Sequence, residues 1–154
     1  MPKMKGVAMP EVVKAVPAEG IATTFIAPLK RLAKVPKAQL GGVACFFLKN
    51  NAIISSGINY NPTGGPMETE VNGKLVSHPA VIHAEIAAIA SAEANQIDLT
   101  GSTLLITMSP CIKCAKVIAR TGIRELVYLY EWWDKASLDL LREHDIIITK
   151  WEEK

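Results

Sequence analysis

The chain is expected to fold as one layered α/β domain, on three observations. Its 154 residues, 49% of them hydrophobic, suffice for one ordinary core and are too few for two. The first half carries one hairpin signal, two apolar runs separated by Lys49-Asn50-Asn51. Through the second half, helical patterns alternate with short apolar strands, which implies packed layers and few hairpins.

Residues 1–20 mix Pro, Lys, Glu and small apolar residues without sustained periodicity, so they are expected to form a loosely held N-terminal arm, with a short helix around Glu11 to Val16. The domain proper is expected to span 21–154. Residues 21–34 suit a helix with Lys30, Arg31 and Lys34 on its last turn, where positive charge complements the helix dipole, and Pro36 would stop it. Gly41-Gly42 opens a buried strand from Val43 to Leu48, and Ala52 to Asn59 reads as its antiparallel partner. From Tyr60 to Pro79 the chain is rich in Asn, Pro, Gly and Thr and reads as a long loop, of a size that tends to be functional.

The next helix is expected from about Val81 to Asn95, with Ile82, Ile86, Ile89 and Ala90 at helical spacing. A strand over Ser102 to Met108 leads to a helix over about Cys111 to Thr121 that Gly122 ends. Leu126 to Tyr130 is a strand, Lys135 to Glu143 a helix and Ile146 to Trp151 the last strand.

Seventeen basic residues against fifteen acidic ones leave a net charge of +2, too small for general attraction to nucleic acid or a membrane surface. The apolar run from Ile21 to Leu29 is short and broken by Pro28, which fits neither a signal peptide nor a membrane span. Three cysteines are an odd count, and two stand at metal spacing. That argues for a reducing, cytoplasmic setting and against a disulfide framework.

The chemistry concentrates in His83-Ala84-Glu85 and Pro110-Cys111-Ile112-Lys113-Cys114. One imidazole and two thiolates make a three-ligand zinc site whose fourth position stays open, the arrangement of a catalytic ion rather than a structural one. Cys111 and Cys114, three apart on a helix, present both sulfurs to nearly one face. A helix start also favours the thiolate that zinc requires. His83 is expected at the start of the other helix, so two helix starts must converge on one ion. Glu85 stands nearby without being needed as a ligand. Two thiolates neutralise the formal charge of Zn²⁺ and weaken it as an acid, so water at the open position gains from a neighbouring base. Glu85 fits that role and can return the protons later in a turnover. The competing reading is a structural zinc completed by His78, His144 or Cys45, with Glu85 an ordinary helix residue.

The H-x-E…P-C-x-x-C pattern coincides with the known signature of zinc deaminases, and the chain resembles the cytidine and deoxycytidylate deaminase superfamily, most of all the deoxycytidylate (dCMP) deaminases. The resemblance runs from about Ile21 to Trp151 and includes Leu40-Gly41-Gly42-Val43, Gly57-Ile58-Asn59 with Pro62 and Gly64, and Cys114-Ala115-Lys116 with Gly122-Ile123. It implies a three-layer deaminase fold with a five-stranded mixed sheet between helices. It further implies that His83, Cys111 and Cys114 bind one zinc ion per chain and that Glu85 shuttles protons. By the same resemblance Asn59 contacts the nucleotide sugar, the backbone N–H of Ala84 lies near the pyrimidine, and an aromatic residue after the fourth strand, here Trp132, covers the ring. A turn-forming role for Asn59 and a packing or subunit-contact role for Trp132 stay open. Such enzymes usually carry tyrosine at Ile58, glycine at Tyr60, asparagine at Ala87 and a basic residue at Ala38. The phosphate contact therefore rests on charge alone, with Lys30, Arg31, Lys34 and Lys37 as candidates.

The expected function is hydrolytic deamination of a cytosine nucleotide, dCMP to dUMP with release of ammonia. The alternatives are a related deaminase of a nucleoside, a free base, guanine or tRNA adenosine, and a non-catalytic zinc-stabilised binding module. The near-neutral charge weighs against a nucleic-acid substrate. The expected partners are a small-molecule nucleotide and, by resemblance, further copies of the chain.

Overall fold

The structure is a computed structural model that describes residues 23–132 and 134–152. The expected arm over residues 1–20, with its short helix, lies outside the described residues. Helix α1 covers residues 23–32. Strands β1 (Ala44–Lys49) and β2 (Ala52–Ile58) form the expected hairpin, closed by Asn50 and Asn51 in left-handed conformations. Helix α2 (Ala84–Ala94), strand β5 (Thr103–Met108), helix α3 (Ile112–Ile118), strand β6 (Glu125–Tyr130), helix α4 (Ala136–Glu143) and strand β7 (Ile147–Lys150) follow, after a small hairpin of β3 (Glu68–Val71) and β4 (Lys74–Ser77).

Five strands make one mixed sheet in the order β2-β1-β5-β6-β7. β1 runs antiparallel to both neighbours, whereas β5, β6 and β7 are parallel and joined through α3 and α4. Alternation along the strands divides the core into two layers. Cys45, Phe47, Leu104, Ile106, Leu126 and Tyr128 face α2, α3 and α4, where Ala88, Ala92, Ala115, Ile118, Leu138 and Leu141 meet them. Ala44, Phe46, Leu48, Leu105, Val127 and Leu129 face the other way, against Ile26 and Leu29 of α1. Strands buried on both faces need near-continuous apolar runs. That explains ACFFLK in β1 and the buried stretches of β5 and β6.

Three expectations need correction. The stretch from Tyr60 to Pro79 is not one loop, because it contains the β3–β4 hairpin. Asn72 (φ 52) and Gly73 (φ 78) form its tight turn, the left-handed pair that an Asn-Gly dipeptide favours. Its four-residue, largely exposed strands are too short to show apolar periodicity. Helix α2 starts at Ala84, not Val81. Ile82 is already engaged in an extended bridge, donating to the Tyr60 carbonyl (2.8 Å) and accepting from the Tyr60 N–H (3.0 Å). His83 stays extended (φ −73, ψ 154) as the N-cap. Helix α3 is shorter than expected, ending at Ile118 in turns that reach Gly122, whose φ of 79 cannot continue a helix.

Candidate active site

The site is assembled where α2 and α3 begin. His83 and Cys111 are the N-cap residues of these helices, both with extended backbones that release the side chain from the helical direction. Gly57 on β2 lets α2 come close: a Cβ there would overlap the Ala84 carbonyl oxygen and lie 2.8 Å from the Ala88 nitrogen. Ser55, also on β2, donates its hydroxyl to the Ala88 carbonyl at 2.7 Å and holds α2 in place. On the other side, the turn Met108-Ser109-Pro110 carries the chain from the end of β5 into Cys111.

These two helix starts place His83 Nδ1 3.2 Å from Cys114 Sγ and 3.6 Å from Cys111 Sγ. The three donor atoms all lie within 4.8 Å of one another. Zinc bonds of about 2.0 Å to nitrogen and 2.3 Å to sulfur, at tetrahedral angles, need N···S separations of about 3.5 Å, so the residues present fit the ion. A hydrogen bond from the Cys114 thiol brings Cys111 down to about 4, and that same bond together with burial pushes Cys114 up. A divalent cation would displace this proton and hold both as thiolates. His83 is raised chiefly by its contact with Cys111. The alternative fourth ligands do not join the group among the described residues. His78 Nδ1 accepts the Ala80 N–H at 3.0 Å, Cys45 is enclosed in β1, and His144 ends α4.

Glu85 sits on the first turn of α2, only 3% exposed. Burial drives its carboxyl up from 4.5 to about 7, against the pull of its own backbone N–H and of His83. It borders a cleft of about 200 Å³ together with His83, Ala84 and Cys111. The remaining walls are Leu40, Gly41 and Val43 ahead of β1, Asn59 after β2, Ser77 at the end of β4, Met108, Ser109 and Pro110 after β5, and Trp132 after β6. The cleft lies at the carboxyl ends of the parallel strands β5 and β6, where α/β sheets characteristically open.

The family described as the cytidine and deoxycytidylate deaminase zinc-binding region matches residues 23–130. This chain belongs to that family. Human deoxycytidylate deaminase is 33% identical over 102 residues, 62% of this chain and 55% of the human protein. The deoxycytidylate deaminase of Enterobacteria phage T4 is 50% identical over 54 residues, 35% of this chain and 28% of that protein. The chain thus spans about half the length of the human relative, and less of the phage one. The crystal structure of the dCMP deaminase from cyanophage S-TIM5 in complex with dCMP and dUMP superposes with a TM-score of 0.78 at 27% identity, over 86% of this chain and 97% of that one. A Thermotoga maritima diaminohydroxyphosphoribosylaminopyrimidine deaminase/reductase gives a TM-score of 0.62 at 27% identity, over 85% of this chain and 36% of that one. The converging residues His83, Cys111 and Cys114 all lie within the matched range.

In this member of the deaminase family, Asn59 Oδ1 accepts the Val43 N–H at 2.8 Å, and its own N–H donates to the Val43 carbonyl at 3.3 Å. Its oxygen is therefore engaged and its amide NH₂ is the group left to donate to a ligand. Ala84 and Trp132 border the same cleft. The four candidate phosphate residues stand elsewhere. Lys30 and Lys34 line a second cavity with Gly42, Thr107 and Tyr130, which meets the first only at Met108. The Lys30 ammonium lies 5.4 Å from the Trp151 ring centroid. Arg31 and Lys37 border neither cavity. The sequence reading gave no site role to Leu40, Ser77, Met108 and Ser109. Ser77 arrives on a hairpin that was read as loop, although Asn72-Gly73 was a usable signal. Ser109 is adjacent to Pro110 in the motif but carries no signal of its own. No helix among the described residues is long and apolar enough to cross a membrane.

Proposed function

We propose that this chain is a zinc-dependent hydrolytic deaminase of a cytosine nucleotide, with dCMP as substrate and dUMP and ammonia as products. One observation carries the reading: a buried carboxyl, held up to about 7 by burial, lies at a cleft beside three donors spaced for one zinc ion. The likeness to the cyanophage protein, solved with dCMP and dUMP, supports the choice of substrate.

His83, Cys111 and Cys114 would hold the ion, which when bound supplies the Lewis acidity that makes a water molecule nucleophilic at neutral pH. Glu85 accepts a proton from that water as oxygen attacks C4 of the pyrimidine, and delivers it to N3. It then passes the second proton to the exocyclic nitrogen, so that the C4–N bond breaks, ammonia leaves and C4 becomes a carbonyl. A buried carboxyl is suited to both transfers, because burial raises it from the usual carboxylate range and eases its protonation. The Ala84 N–H, at the start of α2, contributes to holding the ring. The Asn59 amide donates to a sugar hydroxyl, and Trp132 supplies an apolar wall. Self-association belongs to the same proposal, and the exposed Val71, Leu75 and Val76 of the β3–β4 hairpin are apolar surface that supports it.

Ammonia release measured on dCMP, deoxycytidine, CMP, cytosine and guanine tests the reading. The proposal expects dCMP to have the highest kcat/KM, at least tenfold above deoxycytidine. Equal rates on the two remove the nucleotide part, and a clear preference for guanine removes cytosine as the base.

A further inference from the structure

Ser109 lies in the turn between β5 and α3, directly before Pro110 and the ligand Cys111, and is only 4% exposed. It grips the segment leaving β6 at two points. Its backbone N–H donates to the Tyr130 carbonyl at 2.9 Å, and its Oγ accepts the Trp132 N–H at 2.7 Å. The segment over 131–135 has no helix or strand in its described part, so its neighbours, not its own ladder, set its course. Both Ser109 and Trp132 border the cleft.

We propose that Ser109 is a positioning residue of this site: its hydroxyl fixes the Trp132 backbone and thereby sets the cleft wall against the metal-ligand turn. The two bonds reach residues i and i+2 of one strand exit, which determines both its direction and its register. The Ser109–Tyr130 bond needs only a backbone N–H and would survive any substitution except proline. The Ser109–Trp132 bond needs a side-chain acceptor of hydroxyl length. Ser109→Ala therefore removes one bond only and leaves the Trp132 N–H without its acceptor, next to the cleft. The catalytic groups on α2 are not touched by this change, so the loss falls on substrate binding and not on the chemical step. The kinetic part rests on the reading of the cleft as a nucleotide site, whereas the tether itself does not.

Two readouts on the zinc-loaded full chain test it. Amide hydrogen exchange resolved at Trp132 is expected to accelerate at least tenfold in Ser109→Ala and to stay within threefold of wild type in Ser109→Thr, which keeps the hydroxyl. With dCMP, Ser109→Ala is expected to raise KM about fivefold with kcat within twofold and zinc content unchanged, and Ser109→Thr to restore KM. Unchanged Trp132 exchange, an unchanged KM, or equal damage by Ala and Thr overturns the proposal. So does a Ser109→Ala protein that unfolds or loses zinc while Ser109→Thr does not, since the hydroxyl would then serve stability. If wild-type protein turns over no cytosine substrate, the functional reading fails alone, and exchange at Trp132 still decides the tether.

Discussion

Glu85 is a costly side chain to bury. Its carboxyl is buried in the first turn of α2 and titrates at about 7 instead of 4.5. In the metal-free protein the folded state keeps a proton that the unfolded chain releases above 4.5. The stability associated with this group is therefore full below pH 4.5 and falls as pH rises through 7. The shift corresponds to about 3 kcal/mol. Metal-free Glu85→Gln, which has no such proton to lose, should exceed wild type in stability at pH 8 by about that amount. The advantage should shrink towards pH 4.5. Urea midpoints at the two pH values check this, and a gap that does not change with pH contradicts it. A buried carboxyl with a raised pKa that faces a cleft supports the proton-carrying role proposed for it. The His-Cys-Cys group that could hold a metal was legible in the sequence because its spacing is local: His83 and Glu85 share one helix start, and Cys111 and Cys114 the other. Ser109 was not legible, because its partner Trp132 is 23 residues away.

At the scale of elements, the site depends on how closely α2 approaches β2. Gly57 permits the contact and Ser55 secures it. Gly57→Ala should push the start of α2 off the sheet, costing about 1–3 kcal/mol, and should lower zinc occupancy because His83 moves with the helix. Chemical denaturation and metal analysis on one sample check both effects, with the neighbouring exposed Ser56→Ala as a control. Normal zinc content in Gly57→Ala would show that the close approach is not what positions His83. Strand and helix types were legible wherever the apolar pattern was strong, as in the near-continuous runs of β1, β5 and β6 and the two-sided helix α4. The failures share a cause, since the β3–β4 hairpin and the true start of α2 depend on backbone pairing rather than burial. A hairpin of two four-residue, largely exposed strands and an Ile82 bridged to Tyr60 leave no hydrophobic pattern to read.

For the whole molecule, the two-layer core accounts for where the candidate site lies relative to the sheet. α1 closes one side with Ile26 and Leu29. On the other side α2 and α3 present their amino-terminal ends to one point, and the cleft opens there. A metal that binds only this folded convergence must stabilise the fold. At a hundredfold excess over its dissociation constant, zinc should add about 2.7 kcal/mol, or about 5–10 °C in Tm, relative to chelator-treated protein. Scanning calorimetry with and without the ion checks this, and coincident transitions would show that the convergence does not bind it. The mixed sheet and its helical layers were expected from the resemblance. The apolar pattern alone implied packed layers without their order, because periodicity reports burial and not which strands are neighbours.

The account rests on Glu85 as the proton carrier of an open three-ligand site, and one measurement tests this most directly: ammonia release from dCMP by Glu85→Gln at zinc content matched to wild type. The account predicts one zinc per chain in both proteins and a rate lowered about a thousandfold in the variant. A variant that keeps its zinc and turns over within tenfold of wild type would contradict it.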